Sequence, residues 1–266
     1  HKLRSSGFSV AVLEKADQLG GTWHWNRYPG ARCDIPSLQY SYQFDEDLQQ
    51  EWNWSEKYSA QHEILEYLNH VADRFDLKKD IEFNTEVISA RFNEEKSIWE
   101  IKTSQGEVET KFCVMATGCL SAPNTPDFKG LDDYEGQLLH TGKWPQTPVD
   151  FTDESVAIIG TGSSSVQSIP IIAKQAKHLY VFQRTPNYSI PTNNGPMDPA
   201  EEAEVKSRYP EFRKENWENG FGIAGMAVDS MAVEDDELGR HEKFNHHWEN
   251  EGLGFLGAYA DLMIDK

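Results

Sequence analysis

Residues 155–185 read "SVAIIGTGSSSVQSIPIIAKQAKHLYVFQRT". Ser155 to Ile159 is a short apolar run with strand character. Gly160-Thr161-Gly162 is a tight turn, and Ser163 to Ala176 has helical character, interrupted near Pro170, where a backbone donor is lost. Leu179 to Gln183 is the next strand. A strand, a glycine turn and a helix in this order make a dinucleotide cradle. Glycines let the main chain approach a pyrophosphate, and the helix N-terminus offers free N–H groups with the positive end of its dipole. Gly160, Thr161, Gly162, Ser163, Ser164, Ser165, Val166 and Gln167 are therefore candidate contacts. Ser165 stands where Gly or Ala is usual, and its small side chain is compatible with close packing. The following strand ends on Arg184 and Thr185, where a site for a nucleotide without a 2′-phosphate places an acid. A guanidinium can pair with a 2′-phosphate through two parallel hydrogen bonds, so this unit favours NADPH, the alternative being a mere surface arginine at a strand end.

Near the start of the chain, "GFSVAVLEKA" (7–16) has the opposite ending. Phe8 to Glu14 reads as a buried strand whose tip, Glu14, is placed to hold adenosine ribose hydroxyls. Such an acid lies roughly 20 residues after a glycine loop, yet only thirteen residues precede Glu14. "HKLRSSG" reads as the last turns of a helix stopped by Gly7. The first strand and its glycine loop are thus expected upstream of His1. One acid tip and one arginine tip point to two dinucleotides, FAD first and NADPH second, between which a hydride can pass. The expected fold class is α/β, with two Rossmann-like dinucleotide-binding domains, for FAD and NADP, of layered sheet and helix. A helical insertion is expected in the second. The expected division is an FAD-binding domain over 1–145, the start of an NADP-binding domain over 146–198, and the insertion over 199–266.

Between these units, Ala60 to Phe75 has helical periodicity, with Ile64, Leu65, Leu68, Val71 and Phe75 on one face. Three strands are expected next, in "IEFNTEVISARFN", "SIWEIKTS" and "EVETKFCVMATG", with a turn at Ser104–Gly106. The run "KFCVMATG" (111–118) reads as a strand buried on both faces. Residues 119–127 and 145–154 read as linkers, and from Pro199 onward the chain reads as acidic helices.

Composition narrows the function classes. The chain has 266 residues, 44 acids and 25 Lys plus Arg, a formal net charge of −19. That balance argues against nucleic acid and anionic membranes as partners. Cys33, Cys113 and Cys119 form no C-x-x-C pair, which points to a reducing, cytoplasmic setting and away from disulfide reductases. His241, His246 and His247 lie in an acidic helical stretch and read as a solvated face, so no metal site is expected.

"GGTWHWNRYPGARCD" (20–34) packs a tight Gly-Gly pair, two tryptophans, two arginines and an acid directly after Glu14. "YEGQLLHTGKWP" (134–145) carries Tyr134, Gly136, His140, Trp144 and Pro145 in the spacing F/Y-x-G-x-x-x-H-x-x-x-W-P. On these two stretches the chain resembles the flavin-dependent Baeyer–Villiger monooxygenases along nearly its whole length. The resemblance implies that NADPH reduces FAD and that oxygen is inserted beside a ketone carbonyl to give an ester or lactone. It implies that Glu14, Gly21, Thr22, Trp23, Trp25, Tyr40 and Val87 contact FAD. It places Arg32, Cys33 and Asp34 where flavin and nicotinamide meet. Asp34 is the candidate catalytic residue, orienting an arginine that lies beyond Lys266. His140 is expected to position the linker. The partners implied are a small-molecule ketone and O2.

Related N- or S-oxygenating flavin monooxygenases share much of the fingerprint without its Trp-Pro ending, so Trp144-Pro145 favours the ketone reading. A non-catalytic NADP-binding module is the reading of a different class.

Overall fold

The computed structural model describes residues 1–120, 122–220, 222–224, 230–250 and 252–262. The chain forms two compact units, one of His1–Tyr28 with Ile64–Val149 and one of Pro29–Glu63 with Asp150–Lys266. Residues 29–63, read in the sequence as part of a first domain, thus belong to the second unit. Each unit is mixed α/β.

The first unit opens with helix α1, Lys2–Ser5, and Gly7 leaves it at a φ of +86°. Strand β1 is only Val12–Leu13, shorter than the expected 8–14. It pairs in parallel with β2, Ile81–Glu82. A short helix, α2, covers Thr22–Trp25. The amphipathic helix α4, Gln61–Arg74, follows α3 (Glu46–Glu51, in the second unit) along the chain and carries the boundary between the units. Ile64, Tyr67, Val71 and Ala72 are its buried apolar positions, at the i, i+3, i+7 and i+8 spacing of one helix face.

Asn84, at a φ of +55°, interrupts the expected strand over 81–93. It separates β2 from β3, Val87–Asn93. Strands β3, β4 (Ile98–Thr103) and β5 (Gly106–Thr110) form an antiparallel meander. Phe92 opposes Trp99 across it, with ring centroids 5.5 Å apart. The expected strand over 111–118 is not formed. Phe112, Val114 and Met115 are 70 %, 73 % and 64 % exposed, with no ladder partner among the described residues. A strand persists only where a neighbouring backbone edge takes up its N–H and C=O groups. Hydrophobicity alone therefore does not make one here.

In the second unit, β6 (Ser155–Ile159) and β7 (His178–Phe182) pair in parallel from Ser155↔His178 to Ile159↔Phe182. Helix α5, Ser163–Ile172, joins them. Pro170 lies inside α5, which ends two residues later, four short of the expected Ala176. Helix α3, Glu46–Glu51, was not apparent in the sequence; the Asp45 carboxylate caps it by accepting from Leu48 N at 2.8 Å. The acidic stretch forms α6 (Pro199–Ser207), α7 (Tyr209–Glu218) and α8 (Glu237–Asn250). Residues 263–266 lie outside the described residues. Buried Arg213 on α7 donates to Leu38 O at 3.0 Å, Ser41 Oγ at 2.7 Å and Gln49 Oε1 at 3.0 Å, fastening the 38–49 segment to the helix.

Candidate functional site

The turn after β6 has the geometry that its glycines imply. Gly160 sits at a φ of +106°, a conformation that L side chains rarely adopt. Its N–H donates to Phe182 O at 2.8 Å, which draws the turn against the end of β7. A Cβ on Gly162 would meet nothing within 4 Å, so the space before α5 is open. Gly162 is the N-cap, and its carbonyl accepts from Ser165 N and Val166 N at 3.0 Å. The N–H groups ahead of these have no carbonyl a turn earlier to receive them. The turn is also held by two residues that no sequence pattern singles out. Gln183 Nε2 donates to Thr161 Oγ1 at 3.0 Å, and Asn187 Nδ2 donates to Thr161 O at 2.8 Å. Arg184 and Thr185 follow, both exposed. An anion seated on this turn would meet main-chain donors, and the open cradle fits a dinucleotide pyrophosphate.

The 30–34 segment docks on α5. A Cβ on Gly30 would lie 2.3 Å from the Gln167 carbonyl oxygen, so only glycine permits this approach. Gln167 pairs with the Arg32 backbone in both directions. Its Nε2 donates to Arg32 O at 3.1 Å, and its Oε1 accepts from Arg32 N at 3.4 Å. The same Nε2 donates to Asp34 Oδ1 at 2.8 Å, and Ser163 Oγ donates to Asp34 Oδ2 at 2.6 Å. Asp34 itself is exposed. The structure thus brings Arg32, Asp34, Ser163 and Gln167 together, although some 130 residues separate the two halves.

The Arg32 guanidinium turns to Glu56 Oε2 at 2.7 Å and Tyr58 O at 2.8 Å. Asn194 Nδ2 also donates to Glu56 Oε2, at 2.6 Å. Burial works to raise the Glu56 pKa, but the hydrogen bonds from Arg32 and Asn194 outweigh it, and the carboxyl is held below its usual range. Cys33 is buried, and burial pushes its thiol up to about 11. At neutral pH it is a packed thiol, not a nucleophile. Tyr40 is exposed.

In the first unit, Glu14 lies at the end of β1. Its Oε1 accepts from Ala16 N at 2.7 Å, and its main chain bonds Glu82 O at 3.0 Å and Thr85 N at 2.8 Å. A carboxylate has about four acceptor positions, so this contact leaves capacity for a ribose hydroxyl. Gly20 and Gly21 have φ of +125° and +50°. A Cβ on Gly20 would come within 2.5 Å of Leu65 Cδ1, so the glycine pair lets α2 start against α4. Thr22, Trp23 and Trp25 are half-buried around it. His24 is buried, edge-on to Trp25 at 4.8 Å, and burial lowers its pKa. Val87 starts β3, exposed.

The fingerprint residues also lie in this unit. A Cβ on Gly136 would meet the Tyr134 hydroxyl at 2.4 Å, so the tyrosine ring lies folded against this glycine. His140 Nδ1 accepts from Gly142 N at 3.0 Å, which leaves Nε2 as the donor to Asn124 O at 3.2 Å. The imidazole ties the fingerprint to the 119–127 linker. Trp144 and Pro145 are half-buried just beyond it.

A family model described as pyridine nucleotide-disulphide oxidoreductase matches residues 1–215. The chain belongs to that family. Within it, the chain is similar to the acetone monooxygenase (methyl acetate-forming) of Gordonia sp. (strain TY-5), with 44 % identity over 268 residues, 100 % of this chain and 50 % of that protein. It is 40 % identical over 273 residues to a phenazine N-monooxygenase of Lysobacter antibioticus, again 100 % of this chain and 50 % of the relative. Among solved structures, an OTEMO complex with FAD and NADP matches with a TM-score of 0.94 at 37 % identity, over 99 % of this chain and 50 % of that one. The resemblance to Baeyer–Villiger monooxygenases drawn from residues 20–34 and 134–145 is borne out, since the chain is also 42 % identical over 273 residues, 100 % of this chain and 49 % of that protein, to a Baeyer-Villiger monooxygenase of Pseudooceanicola batsensis; a Rossmann-type α/β fold is borne out by the structural matches. The chain spans about half the length of the curated relatives it matches. Among the described residues, no helix is long and apolar enough to cross a membrane.

Proposed function

We propose that the protein is an NADPH- and O2-dependent flavoprotein monooxygenase that inserts oxygen beside a ketone carbonyl to give an ester or lactone. The observation that carries this reading is the docking of Asp34 on Ser163 and Gln167, 2.6 and 2.8 Å away. It sets residues 30–34 directly on the helix that follows the Gly160–Gly162 turn. When bound, NADPH supplies hydride and FAD activates oxygen. The chain's own residues bind and orient. Gly160 to Gln167 cradle the NADPH pyrophosphate, and Arg184 with Thr185 receives the 2′-phosphate. Glu14 holds the FAD ribose, with Gly21, Thr22, Trp23, Trp25, Tyr40 and Val87 as further FAD contacts. Asp34 presents a fixed negative charge where the two cofactors meet, flanked by Arg32 and the buried Cys33. Two Rossmann-like domains, one for each dinucleotide, with a helical insertion after Pro199, and a cytoplasmic setting are part of the same reading.

The second reading, N-oxygenation, is favoured by the 40 % identity to a phenazine N-monooxygenase. The test is to give the full-length protein NADPH, oxygen and parallel panels of ketones and aromatic amines. Ester or lactone formation, with one NADPH consumed per product, is expected. N-oxides from the amines with no ester from any ketone would overturn the first reading in favour of the second.

A further inference from the structure

We infer that the Ser163 hydroxyl couples occupancy of the nucleotide site to the state of Asp34, with Gln167 as the residue that keeps Asp34 in place during the exchange. This rests on the reading of Gly160–Gln167 as the NADPH pyrophosphate site. A serine hydroxyl has one proton to donate. In this structure Ser163 donates it to Asp34 Oδ2 at 2.6 Å. Ser163 is also the first residue of α5, immediately after the Gly162 cap. A phosphate seated on the turn is, like Asp34, an acceptor only. The two anions therefore compete for one proton, and their mutual repulsion sharpens the competition. When the phosphate takes the proton, Asp34 Oδ2 is released.

Asp34 Oδ1 is not released, because Gln167 Nε2 holds it at 2.8 Å from a separate position one turn along α5. The Gln167 amide cannot follow Asp34 away, since it is pinned to both the N–H and the carbonyl of Arg32. The Gln167 main chain is likewise closed against Gly30. The carboxylate thus stays anchored by one oxygen and presents the other only once the nucleotide is bound. Ser163 and Gln167 act as positioning residues.

The test is a double-mutant cycle on NADP+ affinity, by calorimetry on the full-length protein, with Ser163→Ala, Asp34→Asn and the double variant. Asp34→Asn is nearly isosteric. The Gln167 amide keeps the Asn carbonyl on its own side, so the Asn amide group faces Ser163 as a donor and leaves the serine proton free for phosphate. The charge change is common to both arms of that background and cancels. Ser163→Ala is expected to cost threefold or less with Asp34 present, and about tenfold or more in the Asp34→Asn background, the loss of a hydrogen bond to a charged group. Equal costs in the two backgrounds would overturn the coupling. An independent readout uses 13C-aspartate infrared difference spectra. A carboxylate band should shift on NADP+ addition in the wild type and not in Ser163→Ala, and the same shift in both proteins would overturn the proposal. NADP+ affinity unmoved by Gly160→Ala would instead overturn the site assignment, and the coupling with it.

Discussion

Arg184 stands exposed just past the end of β7, while the turn it would serve is tied to that strand end through Gly160, Gln183 and Asn187. A guanidinium there contributes to binding only when the nucleotide carries a 2′-phosphate. Arg184→Ala in the full-length protein is expected to weaken NADPH binding by ten- to a hundredfold, about 1.5–3 kcal/mol, and NADH binding hardly at all. Equal losses for the two nucleotides would remove Arg184 from the site. Cys33 illustrates the opposite case, a residue inside a site-like loop whose side chain is turned away from chemistry. With its thiol pushed up to about 11, almost none is thiolate at pH 8, and it is buried as well. Alkylation followed by mass spectrometry should modify exposed Cys119 first and Cys33 only after denaturation. Rapid labelling of Cys33 in the native protein would contradict both its burial and its raised pKa.

The contact between the 30–34 segment and α5 makes demands of its own. Gly30 has a φ of +80°, and a Cβ there would lie 2.3 Å from a main-chain oxygen. Gly30→Ala must therefore shift backbone, at a cost of about 1–3 kcal/mol. A fall of several degrees in the melting temperature should register it, and an unchanged melting temperature would mean the contact is not made in solution. The Glu56 clasp on Arg32 adds a pH dependence. Its carboxyl is held below the usual range, so its contribution is complete above the ordinary glutamate pKa of about 4.3. That contribution is lost as pH falls through the lower, folded value. The stability gap between the wild type and Glu56→Gln should be constant above about pH 5 and close on further acidification. A gap that widens in acid would reverse the assigned sign.

The β6–α5–β7 unit was legible because its signals are local: apolar runs, two glycines and a strand tip within 31 residues. The Asp34–Ser163–Gln167 cluster was legible only as two separate motifs. The residues that hold its neighbours, Glu56 with Asn194 on Arg32 and Gln183 with Asn187 on Thr161, have no pattern in the sequence. Their partners lie 22 to 138 positions away. The 111–118 run was misread for a different reason. Its hydrophobicity reports a preference for burial, whereas strand formation depends on a backbone partner that sequence composition does not encode.

The surface carries two opposed features, the formal net charge of −19 and the bare Phe112–Met115 run. A short, uncharged, β-prone segment outside any ladder among the described residues is an adhesive patch for other copies of itself. Long-range charge repulsion keeps those copies apart, and it weakens as salt shortens its reach from about 30 Å at 0.01 M to about 3 Å at 1 M. Colloidal stability of this chain should therefore be greatest in dilute buffer at neutral pH. It should fall with added sodium chloride and again as pH approaches the isoelectric point near 4.8. Dynamic light scattering across a salt series checks this, with Val114→Lys expected to abolish the rise in particle size; a size indifferent to salt in the parent chain would refute it. The practical consequence is an inversion of the usual handling rule: concentrated salt, which shelters many acidic proteins, would here bring the sticky segments into contact.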